Sequence, residues 1–210
     1  MDYLQQLIER YPTLHGIQNN ISDAYLLMEK SFSVNKKLLV AGNGGSAADA
    51  DHIVGELMKG FVKKRPLPAG FISALEALDK EAAAYLAPRL QCGLPAIALS
   101  SHAALMTATL NDVSGDLIYA QQVCGCGNAG DVFMGISTSG NAKNIFYAML
   151  TAKAHGLKTI ALSGGTGGRL ARLADVALIV PETETYKIQE LHLPMYHALC
   201  LMLEEHFFNT

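Results

Sequence analysis

Fifteen residues constrain this chain more than any others: Leu38-Leu39-Val40-Ala41-Gly42-Asn43-Gly44-Gly45-Ser46-Ala47-Ala48-Asp49-Ala50-Asp51-His52. The run from Lys37 to Ala41 is short and apolar and stops at a glycine, as a buried parallel strand does, and good helix formers follow at once. Between them lies Gly42-Asn43-Gly44-Gly45-Ser46. Three glycines in four positions permit positive φ and close approach of a ligand to bare backbone, and Ser46 is placed to cap the following helix. Free amides and the positive end of a helix dipole together suit a phosphate. The loop is not a dinucleotide fingerprint, because Ala47 stands where the third glycine of G-x-G-x-x-G belongs and no acidic residue closes a second strand. It is not a P-loop either, since no Gly-Lys-Ser/Thr follows. The plainer alternative is a glycine-rich turn that only joins strand to helix.

With 210 residues, half of them hydrophobic, the chain can bury a full core as one domain. A net charge of -3 gives no basic footprint for nucleic acid, so any anion site must be local. No stretch of 18 apolar residues and no signal-type N-terminus is present, which predicts a cytoplasmic protein off the membrane. Cys92, Cys124, Cys126 and Cys200 are unevenly spaced and read as free thiols. Cys124-Gly125-Cys126 alone is a weak zinc signal, and two small apolar residues near a helix end is the simpler reading.

In chain order, residues 2–10 and about 17–34 read as two helices that form a preface, of the kind that packs on another subunit or across a sheet edge. The helix from Ser46 to about Phe61 comes next. Lys63-Lys64-Arg65 reads as a solvated turn or, less simply, a phosphate clamp. Residues 71–90 look like one added helix. Pro95–Ser100 is the second strand, with Ser100-Ser101 as a capping pair for a helix from His102 to Leu110 that Asn111-Asp112 closes. A helix around 115–123 leads to the third strand, Asp131–Ile136. That strand runs into Ser137-Thr138-Ser139-Gly140-Asn141, a hydroxyl-rich turn before a helix to His155, which suits phosphate but is also what an N-capped strand-to-helix turn looks like. Lys158–Ser163 and Asp175–Val180 are the fourth and fifth strands, and a long helix runs from Tyr186 to about Phe208.

Two spacings carry chemistry. His52 and Glu56 are four apart, so on a helix they share a face and can converge on one metal or one substrate atom. Gln189 and His197 lie within about 80° of each other on the last helix, whereas His192 is about 140° from His197, so only one of the two histidines shares a site with Gln189.

Taken together, Gly42-Asn43-Gly44-Gly45-Ser46-Ala47-Ala48-Asp49, His52, Glu56, Asn111-Asp112, Gly130-Asp131, Ile136-Ser137-Thr138-Ser139-Gly140-Asn141 and Ile188-Gln189-Glu190-Leu191-His192 resemble the sugar isomerase (SIS) domain family, and within it the phosphoheptose isomerases. The likeness runs from about residue 15 to 207. It implies an α/β three-layer α-β-α sandwich with a five-stranded parallel sheet in flavodoxin-like order, one SIS domain over residues 1–210 with a helical preface to about residue 34, and a homotetramer. The implied reaction is aldose–ketose isomerisation of a phosphosugar, sedoheptulose 7-phosphate to D-glycero-D-manno-heptose 7-phosphate. By the same resemblance Ser137, Thr138 and Ser139 cradle the phosphate, Asn43, Gly44, Gly45 and Ser46 line the sugar site, and Asn111 and Asp112 add polar contacts. His52, Glu56, Gln189 and His197 correspond to the zinc ligands, one ion per subunit. Three positions depart from the pattern: Ala142 replaces a hydroxyl, Tyr186 replaces an aspartate, and the stretch Leu67 to Leu94 is longer than the usual link.

Isomerisation through an enediol needs a base at carbon and an acid or Lewis acid at oxygen. Glu56 suits the base and His197 the proton carrier at a sugar oxygen; a zinc ion held by both would instead polarise the carbonyl. Other proteins resembling these isomerases are non-catalytic adaptors that bind a replication initiator, or sensors of phosphosugars. Glu56 separates the readings, because the adaptors lack this carboxylate. An isomerase of a different phosphosugar is the third alternative.

Overall fold

The computed structural model describes residues 2–208. Its helices are α1 (Tyr3–Arg10), α2 (Gln18–Ser33), α3 (Gly45–Met58), α4 (Ala69–Leu78), α5 (Lys80–Leu86), α6 (Ala103–Asp112), α7 (Ile118–Cys126), α8 (Lys143–Ala154), α9 (Gly168–Leu173) and α10 (Thr185–Phe207), with short 3-10 turns at Pro12–Ile17 and Gly115–Leu117. The strands are β1 (Leu38–Ala41), β2 (Ala96–Ala98), β3 (Val132–Ile136), β4 (Lys158–Gly164) and β5 (Val176–Val180). They form one all-parallel sheet in the order β2-β1-β3-β4-β5, the flavodoxin-like order.

Both faces of the sheet are covered, which is why the strands read as continuous apolar runs rather than alternating ones. Successive residues of β1 feed different cores. Leu38 and Val40 join Val132, Met134, Ile160 and Leu178 under α1, α2, α3 and α10, whereas Leu39 and Ala41 join Phe133 and Ala161 under α7, α8 and α9. The N-terminal preface is absorbed by its own chain: Leu7, Ile8, Ile21 and Met28 belong to the first of these cores, beside Met195, Tyr196 and Leu199 of α10.

The sequence places all five strands, and the differences lie at helix ends. The helix predicted over 71–90 is two, because the Asp79 carboxylate accepts from the Ala82 amide and starts α5 afresh. Nothing in α4 is buried, and in α5 only Ala83 is. Ser46 is not the cap of α3. That position is Gly44, with φ 56°, and Ser46 is buried one residue into the helix. The cap of α6 is likewise His102, whose imidazole accepts from the Leu105 amide, while the Ser101 hydroxyl donates to Asp51 Oδ1 at 2.5 Å. Arg65 is not part of a solvated turn: it is completely buried. Pro194 lies within α10 without ending it. All four cysteines are free, with Cys124 and Cys126 exposed at the end of α7. Among the described residues no helix is long and apolar enough to cross a membrane.

Candidate active site

The glycine loop leaves β1 and the hydroxyl loop leaves β3, and these strands are paired neighbours, with Ala41 opposite Gly135. Their carboxyl ends therefore bring the loops side by side at the point where strand order reverses, which is where open parallel sheets bind ligands. Asn43 of the glycine loop and Asn144 in the first turn of α8, just past the hydroxyl loop, are joined by reciprocal amide hydrogen bonds, each 2.9 Å. The base of the glycine loop is fixed from below, where the Tyr119 hydroxyl donates to the Gly42 carbonyl at 2.5 Å. Asn43, Gly44 and Gly45 are exposed at the tip, and Ser46 is buried beneath them.

In the hydroxyl loop Ser137 is buried, Thr138 half-buried and Ser139 exposed. The loop is tied back by Gly140 N to Ser137 O at 2.9 Å and Gly164 N to Thr138 O at 3.0 Å. Gly140 has φ 65° and presses on the Gly167 carbonyl, so no side chain fits there. The departure at Ala142 has a local meaning: it is the N-cap of α8 and offers no side-chain bond, and its amide is served by Ser137 Oγ at 3.4 Å.

The charged end of the site is built by α3 and α10. Asp49, His52 and Glu56 stand at i, i+3 and i+7, one stripe on α3, and α10 packs against it. His52 Nε2 lies 3.2 Å from Glu56 Oε1 and 3.4 Å from His197 Nε2. Glu56 is largely buried, and its Oε2 has no hydrogen-bond partner among the described residues, although Lys59 Nζ stands 3.7 Å away. Burial, and then the neighbouring His52, push the His197 imidazole below its ordinary value, against a smaller opposing pull from Glu56. Burial and the adjacent Asp49 raise the Tyr196 phenol, which keeps its proton.

Three of the four metal-type residues thus meet. Gln189 packs on the glycine loop instead: a Cβ on Gly45 would sit 2.5 Å from its Nε2. His52 lies seven residues beyond Gly45, about 10 Å of helix rise. Among the described residues no three His, Cys, Asp or Glu side chains form a ready-made metal group, because the approach is pairwise through His52. Two of the donor separations are nevertheless of the size that ligands of one ion show. Ligands about 2.0–2.1 Å from zinc stand roughly 3.3 Å apart, close to the 3.2 and 3.4 Å found at His52.

Asn111 and Asp112 end α6 exposed, and Asn111 Nδ2 donates to Asp112 Oδ1 at 2.7 Å. His192 is fully buried, with Nε2 3.3 Å from the Ser163 carbonyl, and burial pushes it down to about 4, so it is a neutral core imidazole. Tyr186 is exposed at the start of α10. A cavity of about 310 Å³ between α1 and α10, lined by Tyr3, Arg10, Phe61 and Glu190, reaches His197 from outside the two loops.

Sequence reasoning missed the residues that hold this constellation. Tyr196 and Asp49 flank His52, with Tyr196 Oη 3.0 Å from His52 Nδ1 and donating to Asp49 Oδ1 at 3.2 Å. Arg65 donates to the Glu56 and Leu57 carbonyls at 3.0 and 2.6 Å and pairs with the buried Glu204 at 2.8 Å. The i, i+3, i+7 stripe was visible in the sequence, but its partner on α10 was not.

Comparison with known proteins agrees with this geometry. A family model described as SIS domain matches residues 72–164. The phosphoheptose isomerase of Sulfurimonas denitrificans is 38% identical over 191 residues, covering 91% of this chain and 85% of that protein. The solved phosphoheptose isomerase of Neisseria gonorrhoeae superposes with a TM-score of 0.73 at 32% identity, over 96% of this chain and 91% of that one. The solved phosphoheptose isomerase of Francisella tularensis gives 0.74 at 30%, over 97% and 95%. The chain belongs to the phosphoheptose isomerase family of SIS-domain proteins.

Proposed function

We infer that this protein is a phosphoheptose isomerase, an aldose–ketose isomerase that interconverts sedoheptulose 7-phosphate and D-glycero-D-manno-heptose 7-phosphate through an enediol, with residues 1–210 acting as a single SIS domain. The observation that carries the reading is the largely buried Glu56 carboxylate set against His52, and His52 against His197, on the helix that leaves the glycine loop and the one packed on it. Ser137, Thr138 and Ser139 with the start of α8 receive the phosphate, as a hydroxyl-rich turn at a helix N-terminus does. Asn43, Gly44, Gly45, Ser46 and Gln189 face the sugar. Glu56 takes the proton from carbon 1 of the ketose and returns it to carbon 2. His197, kept neutral by its burial, moves protons between the two adjacent oxygens.

His52, Glu56 and His197 are the residues that would hold one zinc per subunit, while Gln189 stays with the glycine loop; a bound ion would supply Lewis-acid polarisation of the substrate carbonyl. A cytoplasmic homotetramer completes the reading. It is supported by exposed Phe71 and Leu78 on α4 and exposed Leu110 and Val113 at the end of α6, apolar surface that further copies would cover.

The test is proton NMR in D2O with sedoheptulose 7-phosphate and a panel of other ketose phosphates. Solvent deuterium at the exchanging carbon and new anomeric signals with the heptulose are expected. Exchange with another sugar alone would replace the substrate, and no exchange with any sugar, with or without zinc, would overturn the reading in favour of a binding protein. Ser137→Ala is expected to weaken phosphosugar binding about 10–100-fold by calorimetry, since a hydrogen bond to a charged group is worth about 1.5–3 kcal/mol. Unchanged affinity would remove Ser137 from the cradle.

A further inference from the structure

Tyr196 has no place in the reaction as described, yet it is buried between two residues of the site, and its contacts decide where a proton sits. Its hydroxyl touches two groups, Asp49 Oδ1 at 3.2 Å and His52 Nδ1 at 3.0 Å. A phenol has one proton to give and an oxygen that accepts. Burial raises the Asp49 carboxyl while the Tyr196 bond and His52 favour its ionised form; an ionised Asp49 can only accept, so the phenol proton goes to it and His52 Nδ1 carries the N–H that fills the Tyr196 oxygen. The ring geometry agrees with a fixed arrangement: the His52 and Tyr196 rings meet edge to face at 5.5 Å, and Tyr196 is 2% exposed.

We propose that Asp49 and Tyr196 are positioning residues that hold His52 in its Nδ1–H form and so present the Nε2 lone pair to Glu56 and His197. The proposal rests on the isomerase reading only for its effect on turnover. A histidine's second nitrogen is oriented by the hydrogen bond made by its first, and here the orienting group is a tyrosine backed by a carboxylate.

The consequence for the site is electrostatic. With Nδ1 protonated, the His52 Nε2 lone pair and the Glu56 carboxylate oxygen are two acceptors 3.2 Å apart. At that distance the two repel each other, a cost that a proton on Nε2 or a bound cation between them removes. His197 Nε2, 3.4 Å from the same nitrogen, is the third group drawn to that point. The Asp49–Tyr196 pair thereby keeps open a position that takes up a positive charge, instead of letting neutral His52 satisfy Glu56 with an ordinary Nε2–H bond. Asp49 precedes His52 by three residues on α3 and Glu56 follows it by four, so a single tyrosine from α10 reaches both the carboxylate and the imidazole from the core side.

The test reads the tautomer directly, in two-bond proton–nitrogen NMR spectra of the 15N-labelled, metal-free protein at a pH where His52 is neutral. The expected wild-type pattern has His52 protonated at Nδ1 and bare at Nε2. In Tyr196→Phe, which removes one oxygen and keeps the ring, the signal is expected to move to the Nε2–H form. Zinc affinity, measured by chelator competition, should fall about 10–100-fold, with kcat falling by a similar factor and KM little changed. A wild-type His52 protonated at Nε2 would overturn the proposal whether or not the variant folds. So would a folded Tyr196→Phe, checked by circular dichroism, with the tautomer unchanged. If the protein proved inactive on every sugar while the tautomer behaved as expected, the isomerase reading would fail and this one would stand.

Discussion

Glu56→Gln is expected to reduce isomerisation by at least about 10³-fold while leaving the fold intact, within the range general bases contribute. Glutamine matches glutamate in shape, and the Arg65 bond is made to the Glu56 backbone carbonyl, which the substitution does not touch. What it removes is the capacity to take a proton from carbon. The same D2O experiment measures the loss, and a melting curve confirms the fold. Excess zinc separates two meanings of the result. Recovery of turnover with added zinc would make Glu56 chiefly a ligand, because an amide oxygen is a weaker donor that a higher ion concentration can offset. No recovery would make it the base. Wild-type turnover in Glu56→Gln would sink the mechanism.

The largest expected effect on stability lies at Arg65. Its side chain and that of Glu204 are both fully buried. Arg65→Met leaves the Glu204 charge without its guanidinium, and breaking a buried pair costs about 3–5 kcal/mol. For a chain of this length that is on the order of a 10 °C fall in melting temperature. The paired substitution with Glu204→Leu is not expected to restore stability, as an apolar replacement often does, because the Glu204 carboxylate also accepts from the amides of Phe61, Val62 and Lys63. Those three amides would be stranded together.

The pH dependence follows from the same group. Burial alone would raise the Glu204 carboxyl, but the amides of Phe61 and Val62 and the Arg65 guanidinium outweigh it and hold it below the usual range. Folding is therefore favoured above the ordinary glutamate value, and that contribution is lost as pH falls through the depressed one. In Arg65→Met acid unfolding should begin at a higher pH. A melting temperature within 2 °C or so of wild type, or an unmoved acid limb, would contradict the assignment.

The strands were legible because each is an uninterrupted apolar run closed by a polar or glycine turn, and a doubly covered parallel sheet demands just that. Both loops were legible for the same reason: they follow strands directly. Caps were harder. Gly44 takes the capping position because its φ of 56° suits glycine, so the nearby serine was a false signal. Asp79 is a true capping signal hidden by the alanines after it. For Gln189 and His197 the angle of about 80° is compatible with a shared face, but eight residues also add about 12 Å of rise, which separates the glycine loop from the histidine pair. Arg65 read as surface because its partner, Glu204, is 139 residues away. The Tyr196 bridge was illegible for a similar reason, since it spans 144 residues to His52.

The pairing of β1 with β3 also says something about how the molecule is made. Leu38 lies against Val132, so the two loops become neighbours only after some ninety residues of intervening chain have been laid down and the sheet has closed over its middle. A collapsed intermediate holding only the β1–β2 edge would own one loop and no cleft. Ligand affinity is in this sense a late product of folding, and a phosphosugar that binds the cleft draws the population toward the finished sheet rather than toward any part of it.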